Sequence, residues 1–146
     1  MREPVLHRAS FADLDTTTLY ALLRLRVDVF VVEQACPYPE LDGRDTEPGT
    51  RHLWLAHDGA PVGYLRLLRD PAAVVRIGRV VVAPQVRGTG AAGRLMDAAL
   101  DEIGDRPSVL DAQAHLVRFY ERYGYTPTGP EYLDDGIPHV PMARPG

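Results

Sequence analysis

Residues 87–93 read R-G-T-G-A-A-G, an arginine and three glycines set immediately before a helix-like run. Small residues at Gly88, Gly90 and Ala92 leave backbone N–H groups uncovered at a helix start, and those donors suit an anion such as a phosphate. Arg87 adds a fixed cation at the mouth of that site. Elsewhere the groups able to move protons are few. They include His52, His115 and His139 of five histidines, the lone thiol of Cys36, and acids such as Glu33 on a chain of 146 residues.

Gly88, Gly90 and Gly93 also spell G-x-G-x-x-G, the dinucleotide-binding fingerprint, and Asp111 lies about 20 positions on, where that fingerprint keeps its ribose-binding acid. Three features weigh against this reading. Residues 83–87 intervene between the apolar run ending at Val82 and the first glycine, which in the fingerprint follows its strand almost directly. Too few residues remain after Asp111 for a second βαβ unit. The strands before the motif read as a hairpin pair, whereas that fold begins with the fingerprint. What survives is a phosphate cradle at a helix start.

Composition excludes other chemistry. The chain holds 16 basic residues and every one is arginine. With no lysine, a Walker-type phosphate loop and Schiff-base catalysis are both ruled out. A net charge of −4 provides no basic field for nucleic acid. The single cysteine allows no internal disulfide or Cys-based metal cluster and suits a reducing compartment. Asp42-x-x-Asp45 is too short for a calcium loop, so no metal is expected. No apolar run approaches the roughly 20 residues that span a bilayer, and the start lacks a signal-peptide stretch, so a cytoplasmic protein is expected.

The elements that must position these residues follow from periodicity. Asp15 or Thr16 caps a helix through about Phe30, with Leu19, Leu22, Leu23, Val27 and Phe30 on one face. Arg26 falls on that apolar face, where it needs a buried carboxylate partner, with Glu33 one candidate. A long Pro- and Gly-containing loop follows over residues 35–50, of a length that suggests a functional role. Acids Glu40, Asp42, Asp45 and Glu47 crowd it, and Asp134 and Asp135 lie near the end of the chain; these acids form either a solvated surface or an electrostatic funnel for a cationic ligand. HLWLAH and PVGYLRLL flank Asp58-Gly59 as a hairpin, and VVRIGRVVVA is a third strand. A helix runs from about Gly90 to Ile103, SVLDA is a short strand, and a second helix over residues 115–123 ends at Gly124. The tail supplies two more short strands. This order describes one mixed α/β (α+β) domain over residues 1–146, its sheet antiparallel first and parallel in the middle.

The pattern Arg87-x-x-Gly90-x-Ala92, between strand VVVAP and helix GRLMDAAL, resembles the acyl-CoA site of the GNAT acetyltransferases. AQAHLVRFYERYGY resembles the same family's Phe-Tyr helix, and LRLRVDVFVVEQACPYPELDGRD, IGRVVV and DDGIPHVPM look like its ElaA-like branch. The resemblance covers essentially the whole chain and implies the GNAT-type acyl-CoA N-acyltransferase fold. It implies an N-acetyltransferase that uses acetyl-CoA as co-substrate. Backbone groups of Val80, Val81 and Val82 would pair with the pantetheine arm, where two strands splay apart. N–H groups of Arg87, Gly88, Thr89, Gly90, Ala91 and Ala92 would cradle the pyrophosphate. Gln113 stands where relatives often have Asn against the cofactor.

On periodicity alone Tyr120 is an aromatic packing residue; the resemblance places it at the family's general-acid position. Glu33, at the end of the first helix and beside the acceptor in relatives, is the first choice of base, with His52, His115 and His139 as alternatives. The acceptor is expected to be a small-molecule or peptide amine, cationic in character. Neither nucleic acid nor membrane is an expected partner, and a homodimer is an assembly left open. The reading from another class is an acyl-CoA-binding sensor or partner module without turnover.

Overall fold

The computed structural model describes residues 3–146. Strand β1 (Val5–Ser10) leads to helix α1 (Thr16–Arg26), capped by the Asp15 carboxylate, which accepts from the Thr18 N–H at 2.7 Å. The helix does not stop near Phe30. It continues as a wider π-helical stretch over Val27–Glu33, seen in the 3.0 Å bond from Gln34 N–H to the Val29 carbonyl. Such stretches are rare and gather at functional sites. The helical path ends at Ala35, whose φ of 51° is left-handed, just before Pro37.

Strands β2 (Arg51–His57) and β3 (Ala60–Arg69) form the hairpin, turning on Asp58 and Gly59 with φ of 50° and 82°. That pair of positive angles is what a two-residue turn matching the twist of the strands requires. Strand β4 (Val75–Val82) continues the antiparallel meander, helix α2 (Ala91–Ile103) crosses over, and β5 (Ser108–Gln113) returns parallel to β4. A 3₁₀ turn at Ala114–Leu116 and the short helix α3 (Val117–Glu121) follow. The tail makes three strands rather than two: β6 (Thr126–Pro127), β7 (Tyr132–Asp134) and the eight-residue β8 (Ile137–Arg144). The sheet order is β1-β2-β3-β4-β5-β8-β6, with β7 also on β8.

Both faces of the sheet are covered, and the two-residue period of each strand divides its side chains between them. Leu53, Leu55, Leu65 and Leu67 pack with Leu95 and Met96 of α2. Trp54, Ala56, Tyr64 and Val81 pack on the opposite side with Leu22 of α1 and Val29. Burying each such Leu or Met contributes about 1.5–3 kcal/mol, enough to hold the central strands rigid under the loops that they carry.

The arrangement that matters for function is where pairing fails. Strands β4 and β5 are partnered only at Val75–Ser108 and Arg76–Val109. Beyond this point β4 bulges, the four residues Gly78 to Val81 spanning what the three residues Tyr64 to Arg66 do on β3, with Arg79 at a φ of 54°. A bulge adds twist and bends its strand, so β4 leans away from β5 and the sheet opens into a wedge.

Candidate active site

The wedge opens into a cavity of about 560 Å³ lined by Glu33, Val80, Arg87, Gln113, Tyr120 and His139 among others. One wall is the free edge of β4. The Ala83 N–H donates to the Val62 carbonyl at 2.8 Å, toward β3. Alternation along the strand then turns the peptide groups of Val82 and Val80 to the open side and those of Val81 back to β3, where Val81 faces Tyr64. The Val82 carbonyl is on that open side, accepting from Arg87 Nε at 3.1 Å. Of the three valines expected to offer backbone groups, Val80 and Val82 therefore do so.

The loop after β4 narrows the expected anion cradle in the same way. The Arg87 and Thr89 N–H groups are used within the turn, donating to Pro84 and Val86 carbonyls at 3.3 Å each. Gly88, Gly90, Ala91 and Ala92 N–H groups have no partner among the described residues, and the first bond of α2 runs from Arg94 N–H to the Gly90 carbonyl at 3.1 Å. Gly88 and Gly90 have φ of 79° and 86°, and a Cβ at either would meet open space. They are glycines for backbone conformation. Gly93 is not an ordinary small helix residue: a Cβ there would lie 2.8 Å from the Tyr123 hydroxyl.

Arg87 presents its fork to Glu33, Nη1 and Nη2 each meeting a carboxylate oxygen, at 2.7 and 2.8 Å. These hydrogen bonds hold the Glu33 carboxyl below the usual range. The residue expected as base is thus an ionised partner of the expected phosphate-binding cation.

Tyr120 is buried, 5% exposed, against Phe119 in an edge-on contact with ring centroids 5.1 Å apart. Loss of hydration raises its pKa above that of a free phenol. The raised pKa keeps its hydroxyl protonated, and that hydroxyl has no hydrogen-bond partner among the described residues. Gln113, at the end of β5, reaches Gln34 at 3.5 Å.

The long acidic loop does something other than expected. Arg26 is fully buried and pairs with Glu40 at 2.7 Å and Asp45 at 2.8 Å, not with Glu33. Arg66 takes Asp45 at 3.1 Å and also pairs with Asp42, while Arg79 takes Glu40 at 2.9 Å. Three guanidiniums thus neutralise Glu40, Asp42 and Asp45, and Arg44 takes Glu47 at 3.3 Å, so every acid of this loop has a cationic partner. Fixed guanidinium bonds hold Asp42 and Asp45 well below the ordinary carboxylate range.

His52 belongs to this cluster: its ring nitrogens meet the Tyr64 hydroxyl at 2.6 Å and the Asp45 carbonyl at 3.0 Å. Burial depresses its pKa and keeps it neutral. Cys36 is buried and donates to the Asp135 carbonyl at 3.2 Å.

Tyr38, Arg66 and Arg79 had no role assigned from sequence and line the cavity; Asp134 and Asp135, expected to favour a cationic amine, line it too, at the end of β7 and in the turn after it. An arginine inside the apolar run of PVGYLRLL is the signal that could have exposed Arg66, because a charge in a buried strand needs a partner. Asp134 and Asp135 form no salt bridge among the described residues.

The acetyltransferase (GNAT) domain family matches this chain over residues 23–144. A UPF0039 protein of Mycobacterium tuberculosis is 54% identical over 145 residues, covering 97% of this chain and 93% of the relative. A crystal structure of an acyl-CoA N-acyltransferase from Pseudomonas aeruginosa is 46% identical with a TM-score of 0.91, covering 97% of this chain and 99% of that one. The crystal structure of Escherichia coli ElaA also superposes with a TM-score of 0.91 at 39% identity, covering 97% of this chain and 99% of that one. The wedge between β4 and β5, the glycine-led start of α2 and these likenesses agree: the chain belongs to the GNAT acetyltransferase family, in its ElaA-like branch.

Proposed function

We propose that the chain is an N-acetyltransferase that moves an acetyl group from acetyl-CoA to a primary amine, working in the cytoplasm as one domain over residues 1–146. The observation that carries this reading is the loss of pairing between β4 and β5 at a cavity that Arg87, Ala92 at the α2 start and Tyr120 line together. An acyl-CoA has the matching parts. Its amide-bearing arm suits the open peptide groups of Val80 and Val82, and its pyrophosphate suits the amides of Gly88, Gly90, Ala91 and Ala92 with Arg87 beside them.

Bound acetyl-CoA supplies the activated thioester. The Val82 N–H polarises the carbonyl, and the buried phenol of Tyr120 protonates the departing sulfur. An alkylamine with a pKa of about 10.4 arrives mostly as ammonium, which Asp134 and Asp135 attract and a base must deprotonate.

Thiol release from acetyl-CoA against a panel of primary amines tests the reading, with calorimetry of acetyl-CoA and NAD in parallel. Amine-dependent release is the expected result. Saturable acetyl-CoA binding with no release for any amine would instead make the chain a sensor module. Tight NAD binding without CoA binding would overturn the account of the glycine loop.

A further inference from the structure

We propose that the imidazole of His139 is the base that takes the acceptor's proton, an inference that rests on the transferase reading above. His139 stands on β8 directly opposite Gln113 of β5. Residues so paired share one face of the sheet, and both line the cavity. Its Nδ1 lies 2.8 Å from the Ile137 carbonyl. A carbonyl only accepts, so Nδ1 carries the hydrogen, and in the neutral ring Nε2 is left with its lone pair. Tyr132, its cross-strand partner on β7, lies tilted against the ring with centroids 6.0 Å apart and limits its rotation.

Glu33 and the other two candidate histidines are already engaged or unfixed. The Glu33 carboxylate is held by both Nη atoms of Arg87. His52 uses both nitrogens inside the buried arginine cluster. His115 lines the cavity but makes no hydrogen bond among the described residues that would fix its tautomer. The charged and titratable groups on the elements beside His139 include Tyr132 and Asp134 from β7, Asp135 from the turn, Asp111 from β5 and His115 from the 3₁₀ turn. Asp111 is paired with Arg76 at 2.8 Å. Asp134 and Asp135 thus draw in the ammonium that His139 deprotonates.

In the step, Nε2 takes one proton from R–NH₃⁺. The freed nitrogen forms the N–C bond as the C–S bond breaks, and the sulfur takes the phenolic proton of Tyr120. The proton lost from nitrogen as the amide forms restores the phenol through solvent. His139 returns its own proton to solvent, which is the single proton that the reaction releases.

The test measures acetyl-CoA turnover with phenethylamine, putrescine and L-lysine amide as probes, for the wild type, His139→Gln and His139→Ala. With the probe that turns over, wild-type kcat/KM should fall on the acid side as one group protonates. His139→Gln should lower kcat by about 10²-fold and lose that acid limb, while its calorimetric affinity for acetyl-CoA stays within about two-fold. Added imidazole should restore part of the His139→Ala rate. A His139→Gln profile like that of the wild type overturns the assignment and leaves the transferase standing. No release by wild type with any probe overturns both. Nitrogen chemical shifts of the wild-type imidazole provide a check that no variant is needed for: a proton on Nε2 rather than Nδ1 at neutral pH also overturns it.

Discussion

The guanidinium of Arg87 meets both oxygens of Glu33, at 2.7 and 2.8 Å, while its Nε donates to the Val82 carbonyl at 3.1 Å. One side chain thus ties the end of the π-helical stretch to the open edge of β4, across the mouth of the cavity. A phosphate arriving at the α2 start competes with Glu33 for that cation, and a strand-like ligand competes for Val82.

Replacing Glu33 with Gln removes the competitor. Acetyl-CoA should bind a few-fold more tightly by calorimetry, with kcat little changed. The difference should shrink as salt screens the exposed pair. A large fall in kcat at constant affinity would return Glu33 to the role of base.

Tyr120→Phe keeps the ring packing and removes the acid. A loss of about 10²-fold or more in kcat is expected, with acetyl-CoA affinity held. Burial raises the pKa of this phenol, so in the wild type Tyr120 should impose no fall in rate with rising pH below about 10. Steady-state rates of both proteins across pH settle the point.

The arginine cluster predicts the acid sensitivity of the fold. Asp42 and Asp45 have depressed pKa values in the folded state. The stability they contribute is complete above the unfolded value of about 3.9 and lost as pH falls toward the folded values. Asp42→Asn should therefore be least stable relative to wild type near neutrality and approach it below pH of about 4. Arg26→Met leaves Glu40 and Asp45 short of a buried partner and should cost roughly 3–5 kcal/mol at neutral pH. Urea midpoints over a pH series measure both.

Gly93→Ala sets two effects against each other. Alanine favours the helix by about 1 kcal/mol, but its Cβ would meet the Tyr123 hydroxyl at 2.8 Å. The single variant should gain less than that, and adding Tyr123→Phe should recover the helix gain. A double-mutant cycle in thermal unfolding reads the coupling.

The sequence made most of the framework legible because its signals are local. Asp15 caps a helix, Asp58-Gly59 turns a hairpin, and Val75–Val82 is β-branched enough to read as a strand. The Asp-Gly pair at Asp135-Gly136 carries the same turn signal, and weighing it would have separated β7 from β8. The π-helical stretch was not legible, since a widened turn leaves no distinct period in seven residues. Neither were the partners of Arg26. Its burial follows from its place on an apolar face, but choosing Glu40 and Asp45 over Glu33 depends on how a sixteen-residue loop folds back (residues 35–50). The wedge was anticipated only through the family likeness, because the bulge at Arg79 arises from pairing across strands rather than from the residue itself.

The cations around the cavity are all guanidiniums: Arg66, Arg76, Arg79 and Arg87. Arginine stays protonated at any working pH and has no free lone pair to attack a carbonyl. On the function proposed above, a lysine in this lining would be a second amine able to intercept the acetyl group meant for the acceptor. The arginines of this site would be immune to that modification, so an activated acyl donor could sit here without acetylating them.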